Sequence, residues 1–193
     1  MNRLVEEVVS YKLKKFSFPQ ALQHRAVGDL LEAEAINIIK DQFDSFRGAK
    51  SKRSIDDFSI VTPHGEFLYD VKTHYLQSTK GFSMPNLISI KYLKDVLEDP
   101  NKSLSYLFID YTRQDEELVI RGVNVKYVWE LDWSTLRIGS LGKGQLQIKD
   151  ANKEPLFTNI GREAWFEILK EKAVDYYNDR ISTIQNKYLV DWV

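Results

Sequence analysis

The segment Glu66 to Thr73, which reads EFLYDVKT, constrains the fold more than any other part of the chain. It has the composition of a β-strand, yet it carries Asp70 and Lys72 between apolar residues. Because side chains alternate between the two faces of a strand, Asp70 and Lys72 project from one face, roughly 6–7 Å apart. Charged groups on a partly buried face cost free energy unless they are compensated. The segment therefore predicts a strand that carries chemistry.

A second run of β-formers, Phe58 to Thr62, precedes this strand, and Pro63 to Gly65 separate the two. Such a pattern predicts a β-hairpin. We take the turn to be centred on His64 and Gly65. The predicted pairs are then Asp57 with Lys72, and Ser59 with Asp70.

This pairing makes Asp57 a diagonal neighbour of Asp70 on the same face, within reach of a shared ion. Asp56 points to the opposite face, but a register shift of one residue would exchange the two aspartates. A hard divalent cation compensates such carboxylates, and Mg²⁺ prefers oxygen ligands. We therefore predict a Mg²⁺ site, at which Mn²⁺ can substitute. Lys72 would position the attacking water or stabilise developing charge.

A further carboxylate is expected from a helix predicted between Pro19 and Phe43, where apolar residues recur at steps of three and four. Glu32 lies one helical turn from Gly28, on a face that should pack against the sheet. Glu34 shares a face with Ile38 instead. Both glutamates stay candidates, and we favour Glu32.

The remaining pattern predicts further elements. They are a helix over 86–97, strands over 104–111 and 118–129, a glycine-containing turn and short strand over 141–149, and a helix from 162 to about 189. The order of helix, strand pair, helix, strands and helix predicts an α/β fold with a mixed β-sheet flanked by α-helices. The length of 193 residues suits a single domain over 1–193.

Composition restricts the possible environments and partners. The chain has no Cys, no apolar run of the roughly 20 residues that cross a membrane, and two glutamates, Glu6 and Glu7, where a signal peptide would be apolar. We expect a cytoplasmic protein without a membrane partner. The net charge of −1 argues mildly against nucleic acid. However, FRGAKSKR concentrates Arg47, Lys50, Lys52 and Arg53, either as a solvated loop or as a basic surface.

The motif Asp57, then Asp70, Val71 and Lys72, resembles the signature of the PD-(D/E)XK nuclease superfamily. The upstream Glu32 also matches that superfamily. The stretch DVKTHYLQSTKGFSM looks like the segment that follows the motif in type II restriction endonucleases of the EcoRV and HincII kind. The likeness covers mainly residues 28 to 75. A proline often precedes the first aspartate in the superfamily, and this chain departs from that pattern.

The resemblance implies a restriction-endonuclease-like fold and Mg²⁺-dependent hydrolysis of phosphodiester bonds in double-stranded DNA, often by a homodimer. Carried over to this sequence, it implies that Asp57, Asp70 and the carbonyl of Val71 bind the metal. Glu32 would act on the metal through water or be a ligand of a second metal. Lys72 would act on the attacking water.

Two segments are predicted to contact DNA. One follows the metal-binding strand directly, and the other is a polar, glycine-containing loop in which glutamines can contact adenine edges and a lysine can hold a phosphate. The predicted contact residues are Thr73, His74, Tyr75, Gln77, Ser78 and Lys80 in the first segment, and Lys143, Gln145 and Gln147 in the second. The structural alternative is a plain surface loop and an ordinary glycine turn.

The leading functional hypothesis is a type II site-specific deoxyribonuclease. One alternative is a repair nuclease that cuts at mismatches or branched structures. Another is an inactive DNA-binding module of the same fold. The bland alternative is a surface hairpin in which Lys72 forms a salt bridge with Asp70 or Asp57, which would contribute little to stability.

Overall fold

The computed structural model describes residues 1–16, 24–51, 54–77, 86–114, 117–139, 144–150 and 155–188. Its helices are α1 (Asn2–Leu13), α2 (His24–Gln42), α3 (Ile90–Glu98) and α4 (Arg162–Tyr188), with short 3₁₀ turns at Val128–Glu130 and Trp133–Thr135. Its strands are β1 (Phe46–Gly48), β2 (Phe58–Thr62), β3 (Gly65–Tyr75), β4 (Asn86–Ser89), β5 (Lys102–Gln114), β6 (Glu117–Tyr127), β7 (Leu136–Gly139) and β8 (Gln145–Ile148).

Five strands form the main sheet in the order β1-β2-β3-β5-β6. β3 and β5 run parallel, whereas the other neighbours in this sheet are antiparallel. The predicted α/β fold with a mixed sheet and flanking helices is therefore confirmed. A second sheet of three strands, in the order β4-β8-β7, was not predicted.

One face of the main sheet packs against α1 and α2. The side chains of Val5, Val9 and Leu13 recur every four residues along α1 and are buried on this face. Tyr69 and Val71 of β3 point into the same core. The sequence prediction did not include α1, although its four-residue spacing was a usable signal.

The opposite face of the main sheet packs against α3, α4 and the small sheet. Leu68 of β3 and Tyr106 of β5 are buried there together with Leu93 of α3 and Trp165 of α4. The indole Nε1 of Trp165 donates a hydrogen bond to the carbonyl of Leu131 at 2.7 Å. Since both faces of β3 are covered by other elements, the charged groups in its middle are partly shielded from water.

The β2–β3 hairpin has a tighter turn than predicted. Thr62 faces Gly65, so only Pro63 and His64 lie in the turn, and Ser59 faces Leu68 instead of Asp70. The predicted register was thus wrong by two residues. Because the error is an even number, every side chain stays on its predicted face.

Gly65 explains the tight turn. Its φ of +136° disfavours a side chain, and an added Cβ would collide with the backbone carbonyl of Asn101. The amide of Glu66 donates to that same carbonyl at 2.7 Å. This contact joins segments that are distant in sequence, so the sequence pattern alone could not reveal it.

Three other local predictions need correction. The helix predicted over 86–97 begins only at Ile90, because Asn86–Ser89 pairs with β8 as a strand. The short strand β1, Phe46–Gly48, was not predicted. The short strand Leu136–Gly139 was not predicted. In the part of the chain that the structure describes, no helix is long and apolar enough to cross a membrane.

Candidate functional site

The candidate site lies where β3 loses one of its two neighbours. β2 begins at Phe58, opposite Tyr69, so β2 does not pair with β3 beyond that point. The stretch from Asp70 to Tyr75 pairs with β5 on its other side. We call the side of this stretch that faces away from β5 the open edge. Backbone groups at the open edge are available to side chains and ligands.

Asp57 stands at the open edge in place of a strand partner. Its backbone amide donates to the carbonyl of Tyr69 at 2.8 Å, which continues the ladder by one residue. Its carboxylate oxygen Oδ2 then accepts a hydrogen bond from the amide of Val71 at 2.7 Å. These two bonds fix the position of the Asp57 carboxylate beside β3.

The carbonyl of Val71 points to the same side of β3 as the Asp57 carboxylate. The N–H and C=O groups of one strand residue point toward the same neighbouring strand. Since the amide of Val71 points at Asp57, its carbonyl also points to the open edge. The arrangement brings a carboxylate and a backbone carbonyl to one side of the strand.

Asp70 and Lys72 form a close ion pair on the adjoining face of β3. The Lys72 ammonium lies 2.8 Å from Oδ1 and 2.7 Å from Oδ2 of Asp70. Only 13% of the Asp70 side chain and 18% of the Lys72 side chain are exposed. A pair this shielded from water is not the exposed salt bridge of the bland alternative.

Lys72 offsets only part of the free-energy cost of burying the Asp70 carboxylate. Burial raises its pKa from 3.8 to about 7, Lys72 opposes the rise, and the nearby Asp57 adds to it. Asp57 is close enough for a hydrogen bond between the two carboxyl groups when one is protonated. The ammonium of Lys72 therefore has two neighbouring carboxylates, those of Asp57 and Asp70, in a region that is poorly solvated.

Glu32 of α2 adds a third carboxylate. Burial raises the pKa of Glu32, the negative charge of Asp57 raises it further, and Lys72 lowers it. The helix approaches β3 closely at Gly28, where an added Cβ would lie 2.9 Å from Oγ1 of Thr73. Of the two predicted glutamates, Glu32 is therefore the one that we assign to the site.

Asp56 faces a different environment. It lines a pocket of about 680 Å³ together with Lys50 and Glu66. Burial is the main cause that raises the pKa of Asp56, and Glu66 and Asp57 raise it further. The structure thus brings Asp57, and not Asp56, against the backbone of β3 beside Asp70.

The donor set at the open edge suits a hard cation. Three carboxylates and one ammonium leave an excess of negative charge in a partly buried space. Within the described ranges, no three His, Cys, Asp or Glu side chains converge as a ready metal cage. The available ligands are the carboxylates of Asp57 and Asp70 with the carbonyl of Val71, and Mg²⁺ commonly binds through one or two carboxylates and waters. These residues fit Mg²⁺.

Comparison with known proteins identifies the architecture. No protein-family profile and no curated protein matches the chain. Among solved structures, the chain is similar to the NlaIV restriction endonuclease, with 16% sequence identity and a TM-score of 0.50 over 82% of this chain and 77% of that one. The fold is restriction-endonuclease-like. At this identity the likeness concerns the fold, so chemistry has to be argued from the site.

Within the restriction-endonuclease-like fold, the predicted DNA contacts of the first segment lie at the end of β3 and just beyond it. Thr73 packs against Gly28 of α2. The ring of Tyr75 lies 5.3 Å from that of Tyr111, and its hydroxyl donates to the side-chain oxygen of Gln77 at 2.9 Å. That same oxygen accepts the amide of Arg113 at 3.0 Å. Gln77 therefore ties the end of β3 to β5, and Ser78 and Lys80 lie outside the described residues.

The second predicted DNA segment belongs to the small sheet. Gln145 begins β8 and is half-buried, and Lys143 lies outside the described residues. Gln147 is only 6% exposed, and its side-chain oxygen accepts a hydrogen bond from Nε of Arg137 at 3.2 Å. This burial does not fit the predicted contact of Gln147 with a base edge.

One residue near the site was missed by the sequence prediction. Asp110 of β5 lies beside His74, whose Nδ1 is 3.3 Å from Oδ1 of Asp110. The signal was present, because Asp110 is the only charged residue in the apolar strand LSYLFIDY. The rule that singled out Asp70, a charge within an apolar strand, would also have found Asp110.

Proposed function

We propose that this protein is a type II site-specific deoxyribonuclease that hydrolyses phosphodiester bonds in double-stranded DNA with Mg²⁺. The observation that carries the proposal is the meeting of Asp57, Asp70 and Lys72 at the open edge of β3, with Glu32 nearby. The name of the structural neighbour, a restriction endonuclease, agrees with this chemistry. The predicted membership of the PD-(D/E)XK superfamily is part of the proposal.

The carboxylates of Asp57 and Asp70 and the carbonyl of Val71 would hold the cation, and Glu32 would bind through water or to a second ion. When bound, Mg²⁺ polarises the phosphoryl oxygen and lowers the pKa of a bound water. The hydrogen bond from Val71 orients Asp57 before any cation arrives. Such preorganisation avoids rearrangement during the reaction.

Lys72 has two roles in this scheme. Without a cation, its ammonium neutralises Asp70. When the Asp70 carboxylate turns to a cation, the ammonium can orient the attacking water and stabilise negative charge on the phosphoryl group. Since the side chain is mostly buried, these electrostatic interactions are stronger than they would be in water.

Double-stranded DNA has two bonds to cut, and the described part of the chain carries one such site. We therefore propose a homodimer in which each copy cuts one strand. A repair nuclease specific for mismatches or branches is the second candidate, since the same site can serve that reaction.

The decisive experiment is digestion of a long, sequence-complex DNA with Mg²⁺ or Mn²⁺, followed by sequencing of the ends. Asp70→Asn, purified in parallel, is the matched control for contaminating nucleases. We expect discrete fragments with a common sequence at their ends, and none from the variant. Cleavage confined to mismatched or branched DNA would support the second candidate. No cleavage of any of these substrates with either metal would refute a nuclease function.

A further inference from the structure

The charged row of β3 continues past Lys72 to His74. Residues 70, 72 and 74 share one face of the strand by alternation. His74 pairs with Asp110 of β5 in the sheet register, and Nδ1 of His74 lies 3.3 Å from Oδ1 of Asp110. The side chains are 12% and 24% exposed, respectively. The pair is thus a shielded contact beside the candidate site.

Two further features shape the space around Asp110. Gly122 of β6 faces it, and an added Cβ at Gly122 would lie 3.2 Å from Oδ2 of Asp110. The β5–β6 register shifts directly afterwards, between Asp110 and Tyr111. Bulges of this kind re-aim side chains and are frequent beside active sites. The glycine and the bulge both accommodate the Asp110 carboxylate next to His74.

A carboxylate at Nδ1 determines how the imidazole can act. An ionised carboxylate only accepts hydrogen bonds, so Nδ1 donates and proton exchange falls to Nε2. The charged residues nearest to His74 on this face are Lys72 on β3 and Asp110 on β5. β6 contributes Gly122 and Asn124, and its Arg121 donates from Nε to Oγ1 of Thr112 at 2.8 Å, two residues beyond Asp110. Histidine is the side chain that holds and releases a proton near neutral pH.

The proposed hydrolysis needs such a proton on the leaving side. Asp57, Asp70 and Lys72 serve the cation and the attacking water, and none of them is assigned to the leaving oxygen. His74 lies roughly 6–7 Å further along the strand than Lys72. We propose that His74, oriented by Asp110, is the general acid that protonates the leaving oxygen. This inference rests on the proposed nuclease function.

The step is balanced as follows. The water oxygen forms a bond to phosphorus and releases a proton to solvent, and the bond from phosphorus to the leaving oxygen breaks with its electron pair on that oxygen. Nε2 of His74 donates its proton to this oxygen, which becomes a hydroxyl. The neutral imidazole then takes a proton from solvent. Asp110 keeps the proton on Nδ1 throughout and is a positioning residue.

A sulfur atom in place of the leaving oxygen tests this role. A thiol has a pKa near 8.5, far below that of water at about 15.7, so a thiolate leaves without a proton. The ends made by the wild-type protein identify the leaving oxygen, because a 5′-phosphate means that the 3′-oxygen leaves. A duplex with sulfur at that position is then compared with the normal duplex, using Mn²⁺ in all reactions.

We expect His74→Ala to slow cleavage of the normal duplex by about 10²–10⁴-fold, which is the usual contribution of general acid catalysis. On the sulfur substrate the loss should shrink to less than about tenfold. Asp110→Asn should show a smaller loss, again removed by sulfur. Equal losses of His74→Ala on the two substrates, or an unchanged rate on the normal duplex, would overturn the assignment.

Three controls separate the possible failures. Lys72→Ala acts on the attacking side, so its defect should be equally large on both substrates. His64→Gln changes a histidine in the exposed hairpin turn and should have no effect. If His74→Ala does not fold, as judged by thermal unfolding, His74→Gln takes its place. A wild-type protein that cuts neither substrate would refute the proposed function itself.

Discussion

The two halves of β3 differ in what lies beside them. From Gly65 to Tyr69 the strand is paired with β2 and β5, and from Asp70 to Tyr75 it pairs with β5 and has the open edge on its other side. The first half supplies the buried side chains of Leu68 and Tyr69 to the two cores. The second half carries Asp70, Lys72 and His74. These charged residues therefore lie in the half of β3 whose backbone is not paired with β2.

The two halves also differ in charge balance. Among the described residues, the pocket beside the first half is lined by three cationic and three anionic side chains, which are Arg47, Lys50, Lys102, Asp56, Glu66 and Asp95. Around the open edge, the described residues Asp57, Asp70 and Glu32 supply three carboxylates against the ammonium of Lys72. A balanced set needs no further ion, whereas an excess of buried negative charge favours a bound cation. This difference supports our proposal of a cation site in the second half.

The largest expected effect on activity comes from replacing Lys72 of the second half. Lys102 of β5, which faces the first half, is its control. Lys72→Ala should slow single-turnover DNA cleavage by at least about 10²–10³-fold, because it removes a preorganised cation from the reacting phosphate. Lys102→Ala, opposite Glu66 in the first half, should leave the rate unchanged, since it loses only a partly exposed ion pair with Asp99. Full activity of Lys72→Ala would contradict the difference between the halves.

The next effect is a pH dependence of the free energy of unfolding. The pKa of Asp70 is raised to about 7 in the folded protein, so the stability that belongs to this group is present below pH 4 and is lost as the pH rises through 7. In EDTA, the free energy of unfolding should fall over this range, by on the order of 4 kcal/mol for this group. Asp70→Asn should abolish the fall and be more stable than wild type at pH 8. Urea unfolding at several pH values measures this.

The control for this prediction is a carboxyl whose pKa is shifted in the opposite direction. The pKa of the exposed Asp99 is lowered, mainly by a hydrogen bond from the amide of Asn101. Its contribution is therefore lost as the pH falls, and Asp99→Asn should keep the wild-type slope between pH 5 and 8. If Asp70→Asn also keeps that slope, the burial of Asp70 does not cost stability as inferred.

A smaller effect tests how α2 delivers Glu32 to the open edge. Gly28→Ala places a Cβ 2.9 Å from Oγ1 of Thr73. We expect a loss of about 1–3 kcal/mol in unfolding free energy, as for other overpacked sites, together with slower cleavage. Thr73→Ala in the same chain should recover part of both losses, in a double-mutant cycle.

Gly48→Ala is the matched glycine control. Its added Cβ would meet only the ring of Phe46, at 3.8 Å, which is an ordinary contact. It should be neutral in thermal unfolding and in activity. If the Gly28 and Gly48 variants behave alike, close approach of α2 to β3 is not what positions Glu32.

Much of the fold could be predicted from local patterns. The bounds of β2 are those expected, β3 and β5 each extend two or three residues beyond the predicted strands, and α4 starts at the predicted Arg162. Each of these elements follows one pattern, which is a run of strand-forming residues in β2, β3 and β5 and apolar residues at helical spacing in α4. β4 was mistaken for helix because Asn86–Ser89 is too short to show a period, and its pairing with β8 overrides the local preference.

Part of the candidate site could also be predicted from local patterns, and part of it depends on long-range contacts. Strand alternation predicted the shared face of Asp70 and Lys72, and it survived an error of two residues in the hairpin register. The contact of Asp110 with His74 depends on the parallel pairing of β3 with β5. The burial of Gln147 depends on Arg137 of the neighbouring strand. Such long-range contacts cannot be derived from the spacing of residues along one segment.

The two-residue turn of the hairpin has an evolutionary consequence. Asp57, Asp70, Val71 and Lys72 fall within sixteen consecutive residues and are held together by local strand pairing. Insertions, deletions and substitutions elsewhere leave this short unit intact as long as the turn keeps its length. A chain of this kind can therefore change widely in overall sequence and keep these four residues in place. For distant relatives, the spacing within the hairpin is a better search key than whole-chain identity.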